Sequence, residues 1–255
     1  DGTLNVSLYF RDGQQIRAEE DTTGDGNKDV ITTYAGLLIA LRTADTTGDG
    51  RYDTRIEYLL GVPRKRIFDP ELDGRPELIA FLDENGNLER EEIDSKNAGY
   101  TDIIRYYHAG TKTKETEDPD GDGVPSLVTL FKHGLPSEQR ADSNGDGRLD
   151  TAIFYQSGRK HHQEEDRNGD GEIDVRYRFD SEENVAREEL DAEPDGFFES
   201  TSIFRAGVLV TRSLDAVHCG RLGNLMAVQN LRYPETQNYD IDAKRLNATY
   251  ESIYS

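Results

Sequence analysis

The chain has 255 residues, 51 of them acidic against 30 basic, a formal net charge of −21, only 34% hydrophobic residues, no Trp and one Cys. That balance excludes a nucleic-acid binder, which needs many phosphate-neutralising Lys and Arg contacts, and no apolar run approaches the ~18 residues of a membrane-spanning helix. Low hydrophobicity with high charge is the composition of disordered chains, so whether anything folds depends on where the acids sit.

Asp1-Gly2-Thr3-Leu4 opens as mature-looking sequence without a signal-peptide pattern. From Asp21 the chain repeats itself. The segment Asp21-Thr-Thr-Gly-Asp25-Gly26-Asn-Lys-Asp29 returns from Asp45, Asp69, Asp94, Asp118, Asp142, Asp166 and Asp191, at intervals of 24 or 25 residues. Each copy has Gly at its sixth position, and one further step reaches Asp215, where only that Asp and Gly220 survive. Half a period out of phase stand Gly13, Gly36, Gly61, Gly86, Gly110, Gly134, Gly158 and Gly207. Asn184 fills the missing place, as the residue that best tolerates positive φ after Gly. Asp12-Gly13 and Asn85-Gly86 read as two-residue hairpin turns. Each repeat therefore reads strand, tight turn, strand, acidic loop.

The strand entering each turn carries an aromatic or large residue at one fixed place: Tyr34, Tyr58, Leu82, Tyr107, Phe131, Tyr155, Phe179 and Phe204. Leu127/Thr129/Phe131 and Val175/Tyr177/Phe179 alternate with polar residues, as on a half-buried strand. The returning strands, such as Thr111–Glu117 and Arg159–Glu165, are polar on both faces. The fold class is all-β, an antiparallel meander of about eight 24-residue hairpin repeats over 1–215. Some seventeen strands exceed the usual limit of ~10 in an open sheet, so the meander is expected to curl into an elongated spiral or solenoid-like array, with a propeller or barrel as the alternative. Residues 216–255 break the period and read as a C-terminal cap or docking segment.

Asp at loop positions 1, 5 and 9, Gly at 6 and a carbonyl at 7 describe a hard-cation site, because calcium takes six to eight oxygens and a short loop wraps them only around a sharp mid-loop turn. Unpaired, such carboxylates repel one another. These loops resemble the Asp-x-Asp-x-Asp-Gly-x-x-Asp calcium loops of integrin alpha-subunit (FG-GAP) propellers, with kinship to thrombospondin type 3 loops at Asp118-Pro-Asp120-Gly-Asp122-Gly123. The hairpins loosely resemble the YD-type repeats of bacterial shell proteins. The resemblance implies about seven Ca2+ sites. Their candidate ligands are Asp21, Thr23, Asp25 and Asp29; Asp45, Thr47, Asp49 and Asp53; Asp69, Glu71, Asp73 and Glu77; Asp118, Asp120 and Asp122; Asp142, Asn144, Asp146 and Asp150; Asp166, Asn168, Asp170 and Asp174; and Asp191, Glu193, Asp195 and Glu199. Seven divalent ions would cancel two-thirds of the net charge. The Asp94 copy is broken by Lys96 and Ala98, and the Lys96 ammonium is expected to replace the ion between Asp94 and Asp102.

Other candidates are bland. His161 and His162 are adjacent on a strand, so they should face opposite ways and not chelate one ion together. His218-Cys219 lacks a third partner, and no carboxylate pair stands out for catalysis. The expectation is a non-enzymatic, calcium-stabilised scaffold, adhesin or surface component, extracellular, cell-surface or periplasmic, since extracellular calcium modules bind at ~10⁻⁴–10⁻³ M. Its partners would be further copies of itself or a cell-surface protein or glycan. The alternatives are a carbohydrate- or protein-binding module using exposed aromatics such as Tyr106 and Tyr155, and a polysaccharide-acting enzyme.

Overall fold

The computed structural model describes residues 5–192 and 195–214. The cap expected over 216–255, and Glu193, lie outside them. The chain divides into two compact units, the first ending at Gly134 and the second beginning at Leu135.

The first unit contains β1 (Val6–Arg11), β2 (Gln14–Glu20), β3 (Val30–Ala35), β4 (Leu38–Ala44), β5 (Thr54–Leu59) and β6 (Val62–Phe68). It continues through β7 (Leu78–Leu82), β8 (Leu88–Ile93), β9 (Ile103–His108), β10 (Thr111–Glu117) and β11 (Leu127–Lys132). Each strand pairs antiparallel with the next, from β1 to β11. The second unit repeats the pattern with β12 (Leu135–Ala141), β13 (Thr151–Gln156), β14 (Arg159–Glu165), β15 (Val175–Phe179), β16 (Val185–Leu190), β17 (Ser200–Arg205) and β18 (Val208–Leu214). Among the described residues there is no helix, hence none long and apolar enough to cross a membrane. The meander is open. No pairing between first and last strands closes either unit into a barrel, and uninterrupted pairing leaves no four-stranded blades, so both alternatives to an open array are set aside.

The acidic loops fill the gaps between hairpins to the residue: β2 ends at Glu20 and β3 starts at Val30, and so on to β16 and β17. They are also tied to one another. Within each unit the amide of a loop's first Asp donates to the carbonyl of the preceding loop's ninth residue, as in Asp45 to Asp29, Asp69 to Asp53 and Asp118 to Asp102, all at 2.8 Å. The Asp21 amide donates likewise to the Asn5 carbonyl at 2.7 Å, so Asn5 stands where a ninth loop residue would.

The two-residue turns share one form, except that between Ala35 and Leu38, where Gly36 alone has a positive φ. Leu60 (φ 52) precedes Gly61 (φ 80), and Ala109, His133, Ser157 and Ala206 stand likewise before their glycines at φ 48, 53, 53 and 49. Two successive positive φ values give the turn twist that matches a hairpin. A Cβ on Gly61 would come within 3.3 Å of Leu38 Cδ2, so this glycine also admits the neighbouring turn. Two turns differ from the sequence expectation. Asn85-Gly86 is part of a five-residue connection from Asp83 to Asn87, in which the Gly86 amide donates to the Asp83 carbonyl at 3.0 Å. Its counterpart runs from Asp180 to Asn184, and the positive φ there belongs to Glu183 (φ 62), not Asn184. These longer turns account for the two intervals of 25 that bracket hairpins, from Asp69 and from Asp166.

Every hairpin with a described register carries one β-bulge on its returning strand. Tyr34 pairs with Ile39 while Thr33 pairs with Leu41, leaving Ala40 as the extra residue. Tyr58, Leu82, Tyr107, Tyr155, Phe179 and Phe204 mark the same shift in their hairpins. A bulge sets two residues against one and disrupts strict alternation, which is why the returning strands showed no period of two.

A conventional core is absent from the described residues. The buried apolar side chains are Ala18, Val30, Ala80 and Val175. The ladder aromatics are half-buried, and so is Tyr106; the binding-module alternative named Tyr106 and Tyr155 as exposed. Long cationic side chains cover aromatic rings on these strands: Arg90 stands 4.3 Å from the Phe81 centroid, Lys112 4.2 Å from Phe131 and Lys114 5.5 Å from Tyr106. Their aliphatic stems bury ring surface while the charges stay wet. Arg17–Glu19, Arg140–Glu138 and Arg187–Glu189, each pair two apart on one strand, meet at 2.6 Å.

Candidate metal centre

The loops obey a local grammar of carboxylate-to-amide hydrogen bonds. The first Asp uses one oxygen for the amide at position 4 and the other for the amide at position 6. Asp21 accepts Gly24 and Gly26 at 2.6 and 2.9 Å, Asp45 accepts Gly48 and Gly50 at 2.7 Å each, and Asp142 accepts Gly145 and Gly147 at 2.6 and 2.8 Å. Asp118 and Asp166 do the same. The fifth residue accepts the amide at position 7, as Asp25, Asp49, Asp73, Asp122, Asp146, Asp170 and Asp195 do.

In several loops the ninth carboxylate is latched. Asp29 takes the Thr22 amide and hydroxyl at 2.7 and 2.8 Å, and Asp53 takes those of Thr46 at 2.9 and 2.7 Å. Asp150 and Asp174 accept the Ser143 and Arg167 amides at 3.1 and 2.6 Å. Position 3 is also engaged. The hydroxyls of Thr23 and Thr47 lean on Asp21 and Asp45 at 3.5 and 3.3 Å, while the Asn144 and Asn168 oxygens accept the Asp146 and Asp170 amides at 2.8 Å. These bonds favour the charged form. The Thr22 hydroxyl and amide hold Asp29 below its usual range, and the Gly147 amide does so for Asp142.

The broken copy keeps the latch on its ninth residue, while its first Asp takes the amides at positions 5 and 6 in place of 4 and 6. Asp102 accepts the Ser95 amide and hydroxyl at 2.8 and 2.6 Å, and Asp94 accepts Ala98 and Gly99 at 2.8 and 2.6 Å. Lys96 does not sit between the two carboxylates. Its ammonium donates to the Pro119 carbonyl of the next loop at 3.0 Å, beside the Tyr100 hydroxyl at 2.9 Å. A Cβ on Gly121 would lie 2.6 Å from Tyr100 Cδ2, so only glycine lets that ring close over the loop.

Two loops depart from the grammar in the opposite direction. In the loop from Asp191, position 4 is Pro194, which has no amide hydrogen. The Gly196 amide reaches Asp191 Oδ2 at 2.9 Å, and Asp191 Oδ1 is left buried without a partner. Asp191 and Glu199 are each 3% exposed. Glu199 accepts the Ala192 amide at 2.7 Å, and the adjacent Ser200 Oγ is also unpartnered. Asp191, Asp195 and Glu199 bring one oxygen each to within 4.8 Å of one another. Burial pushes the Asp191 carboxyl up, and the charges of Glu199, Asp195 and Asp174 add to it.

The loop from Asp69 is similar in part. Gly74 donates to Asp69 Oδ2 at 3.1 Å, while Asp69 Oδ1 and Glu77 Oε2 are buried and unpartnered. Position 4 here is Leu72, held at φ 55. Burial raises Glu77, reinforced by Asp69, Glu71 and Asp73. Glu71 is exposed, and its carbonyl accepts Arg51 Nη2 from the preceding loop at 3.0 Å.

The sequence placed ligands in seven loops. Among the described residues, two groups of three carboxylates come within 4.8 Å of one another: Asp118, Asp120 and Asp122, which are half-buried to exposed, and Asp191, Asp195 and Glu199. An unpartnered buried acceptor costs ~1–3 kcal/mol, and clustered like charges add to that cost. An all-oxygen set of this kind fits a hard divalent cation. What sequence reading missed was the consequence of Pro194, although the signal was there: a proline where five other loops have glycine.

No family model and no curated protein matches the chain. Among solved structures it is similar to accessory secretory protein 1, 2 and 3 of Streptococcus pneumoniae, at 24% identity over 40% of this chain and 19% of that one, with a TM-score of 0.29. It is also similar to S. aureus TarM, at 14% identity over 52% of this chain and 23% of that one, with a TM-score of 0.23. A porin-like protein from Bacteroides uniformis aligns at 9% identity over 82% of this chain and 96% of that one, with a TM-score of 0.21. The chain thus spans about a fifth of the first two structures. Likeness at this level carries no assignment of fold or function.

Proposed function

We propose that the chain is a non-enzymatic, calcium-binding and calcium-stabilised β-repeat protein, working outside the cytoplasm as a scaffold, adhesin or surface component. The observation that carries this reading is the Asp191–Asp195–Glu199 cluster, with two carboxylates 3% exposed and Asp191 Oδ1 buried without a donor. Proteins do not leave charges in that state without compensation. A divalent ion relieves both the orphaned oxygen and the mutual repulsion.

The seven loops then fall into tiers. Ions enter first at the Asp191 and Asp118 loops, where three carboxylates already converge, and at the Asp69 loop, where two oxygens are unspent. In the latched loops from Asp21, Asp45, Asp142 and Asp166, an ion competes with backbone amides for the same carboxylates and binds more weakly. Millimolar extracellular calcium suits such sites, whereas cytosolic levels do not.

The test is a thermal melt of the full chain with excess calcium and with EGTA, beside metal counting by mass spectrometry. Stabilisation that saturates at two or three ions per chain supports the reading. A melting temperature indifferent to chelator, with no retained ion, overturns it.

A further inference from the structure

His161 and His162 are neighbours on β14, and strict alternation would put their rings on opposite faces. They are not on opposite faces. The bulge of this hairpin falls on the pair itself: Phe154 pairs with His162 and Tyr155 with Lys160, so His161 is the extra residue. With alternation broken, His161 Nδ1 lies 3.0 Å from His162 Nδ1, and the rings meet edge to face at 5.3 Å. The His162 ring is fixed from its other side by Phe154, stacked at 4.3 Å and 10°. His161 is exposed and His162 half-buried, so the pair opens to solvent.

We propose that this bulge-made histidine pair is a cis-chelating site for a divalent transition metal of tetragonal preference, Cu2+ being the probe ion. With metal–nitrogen bonds of ~2.0–2.1 Å, nitrogens 3.0 Å apart subtend about 95° at the metal. That matches adjacent corners of a square plane. A tetrahedral ion such as Zn2+ would need them about 3.3 Å apart. Imidazole is a ligand that Cu2+ and Ni2+ favour, and tetragonal geometry with nitrogen and water donors is characteristic of them. The exposed side leaves the other corners to water. Burial holds the His162 imidazole below its usual range, which keeps its lone pair free at neutral pH, although nearby Arg178 and Arg176 add positive charge. The site is chemically separate from the all-oxygen loops, which present no nitrogen donor.

The competing account is a proton shared between two neutral imidazoles, for which 3.0 Å is also a suitable separation. The two are told apart by titrating the full chain with Cu2+ in excess calcium, so that the loop carboxylates are occupied. Binding is read by calorimetry and the donor set by electron paramagnetic resonance. The expected result is one site with two equatorial nitrogens, whose affinity drops about tenfold or more in both His161→Ala and His162→Ala. His161→Ala carries the test, because this exposed ring can be removed with little effect on the fold, and an unchanged melting temperature checks that. Single-nitrogen spectra in the parent chain, or equal Cu2+ affinity in parent and His161→Ala, would overturn the site and leave the shared proton.

Discussion

Asp53 accepts both the amide and the hydroxyl hydrogen of Thr46, at 2.9 and 2.7 Å, and so closes its nine-residue loop from end to end. Thr22 and Asp29 form the same latch, and Ser95 and Asp102 form it in a loop that has lost its fifth-position acid. The ninth carboxylate is therefore a structural clasp in these copies. Where Glu replaces Asp at that place, in Glu77 and Glu199, no hydroxyl engages it, and one oxygen or its neighbours remain to be satisfied.

Thr46→Val removes the hydroxyl donor but keeps the shape. Its expected cost is about 1–2 kcal/mol, the range for a hydrogen bond to a charged acceptor. Urea unfolding should show that loss equally with calcium and with EGTA. A loss confined to the calcium form would mean Asp53 acts as a ligand first.

Asp191→Asn removes one charge from the buried cluster and should separate stability from metal binding. In EGTA the variant should melt no lower than the parent, since repulsion with Glu199 and Asp195 is relieved. The calcium-induced rise in melting temperature should shrink by a third or more, because this is one of two or three leading sites. Asp45→Asn, in a latched loop, should leave that rise nearly intact. Scanning calorimetry of the three proteins settles the order.

Leu72→Gly tests backbone strain. Leu72 is held at φ 55, where five other loops have glycine. A side chain in the left-handed region costs ~1–2 kcal/mol, partly offset by the greater freedom of glycine in the unfolded chain. The variant should be more stable by about 0.5–1 kcal/mol in urea.

Alkaline pH has its own signature. Burial and the hydrogen bond to Glu91, at 2.7 Å, push the Tyr107 phenol up to about 12. Its folded pKa exceeds the unfolded value near 10, so its stabilising contribution is whole below pH ~10 and is lost as pH climbs towards 12. Tyrosinate absorbance should show several phenols titrating late in the folded chain, and the last of them should be absent in Tyr107→Phe.

The repeat, the hairpins and the loop boundaries were all legible in the sequence, because Asp and Gly at fixed spacing force turns wherever they occur. What escaped is what periodicity cannot express. Asn184 looked like a stand-in for glycine, yet Glu183 takes the positive φ, because the five-residue turn shifts the place by one. His161 and His162 looked divergent because a bulge leaves no mark of its own in a polar strand. Seven loops were expected to hold ions because their acids align, whereas the donors that spend the acids, Thr46 in one loop and none at Pro194 in another, decide which carboxylates are free.

The bond from the Asp45 amide to the Asp29 carbonyl, and its copies among the loops within each unit, join successive repeats by the same pair of atoms. A chain built on one recurring joint can lose or gain a whole unit and rebuild an identical seam. Each hairpin with a described register also carries its own bulge, so an error in one is not passed to the others. The length of such an array is therefore free to vary in steps of one repeat, and a turn lengthened by a single residue leaves the seam intact, as at Asp94 to Glu77 (3.0 Å) and Asp191 to Asp174 (2.8 Å).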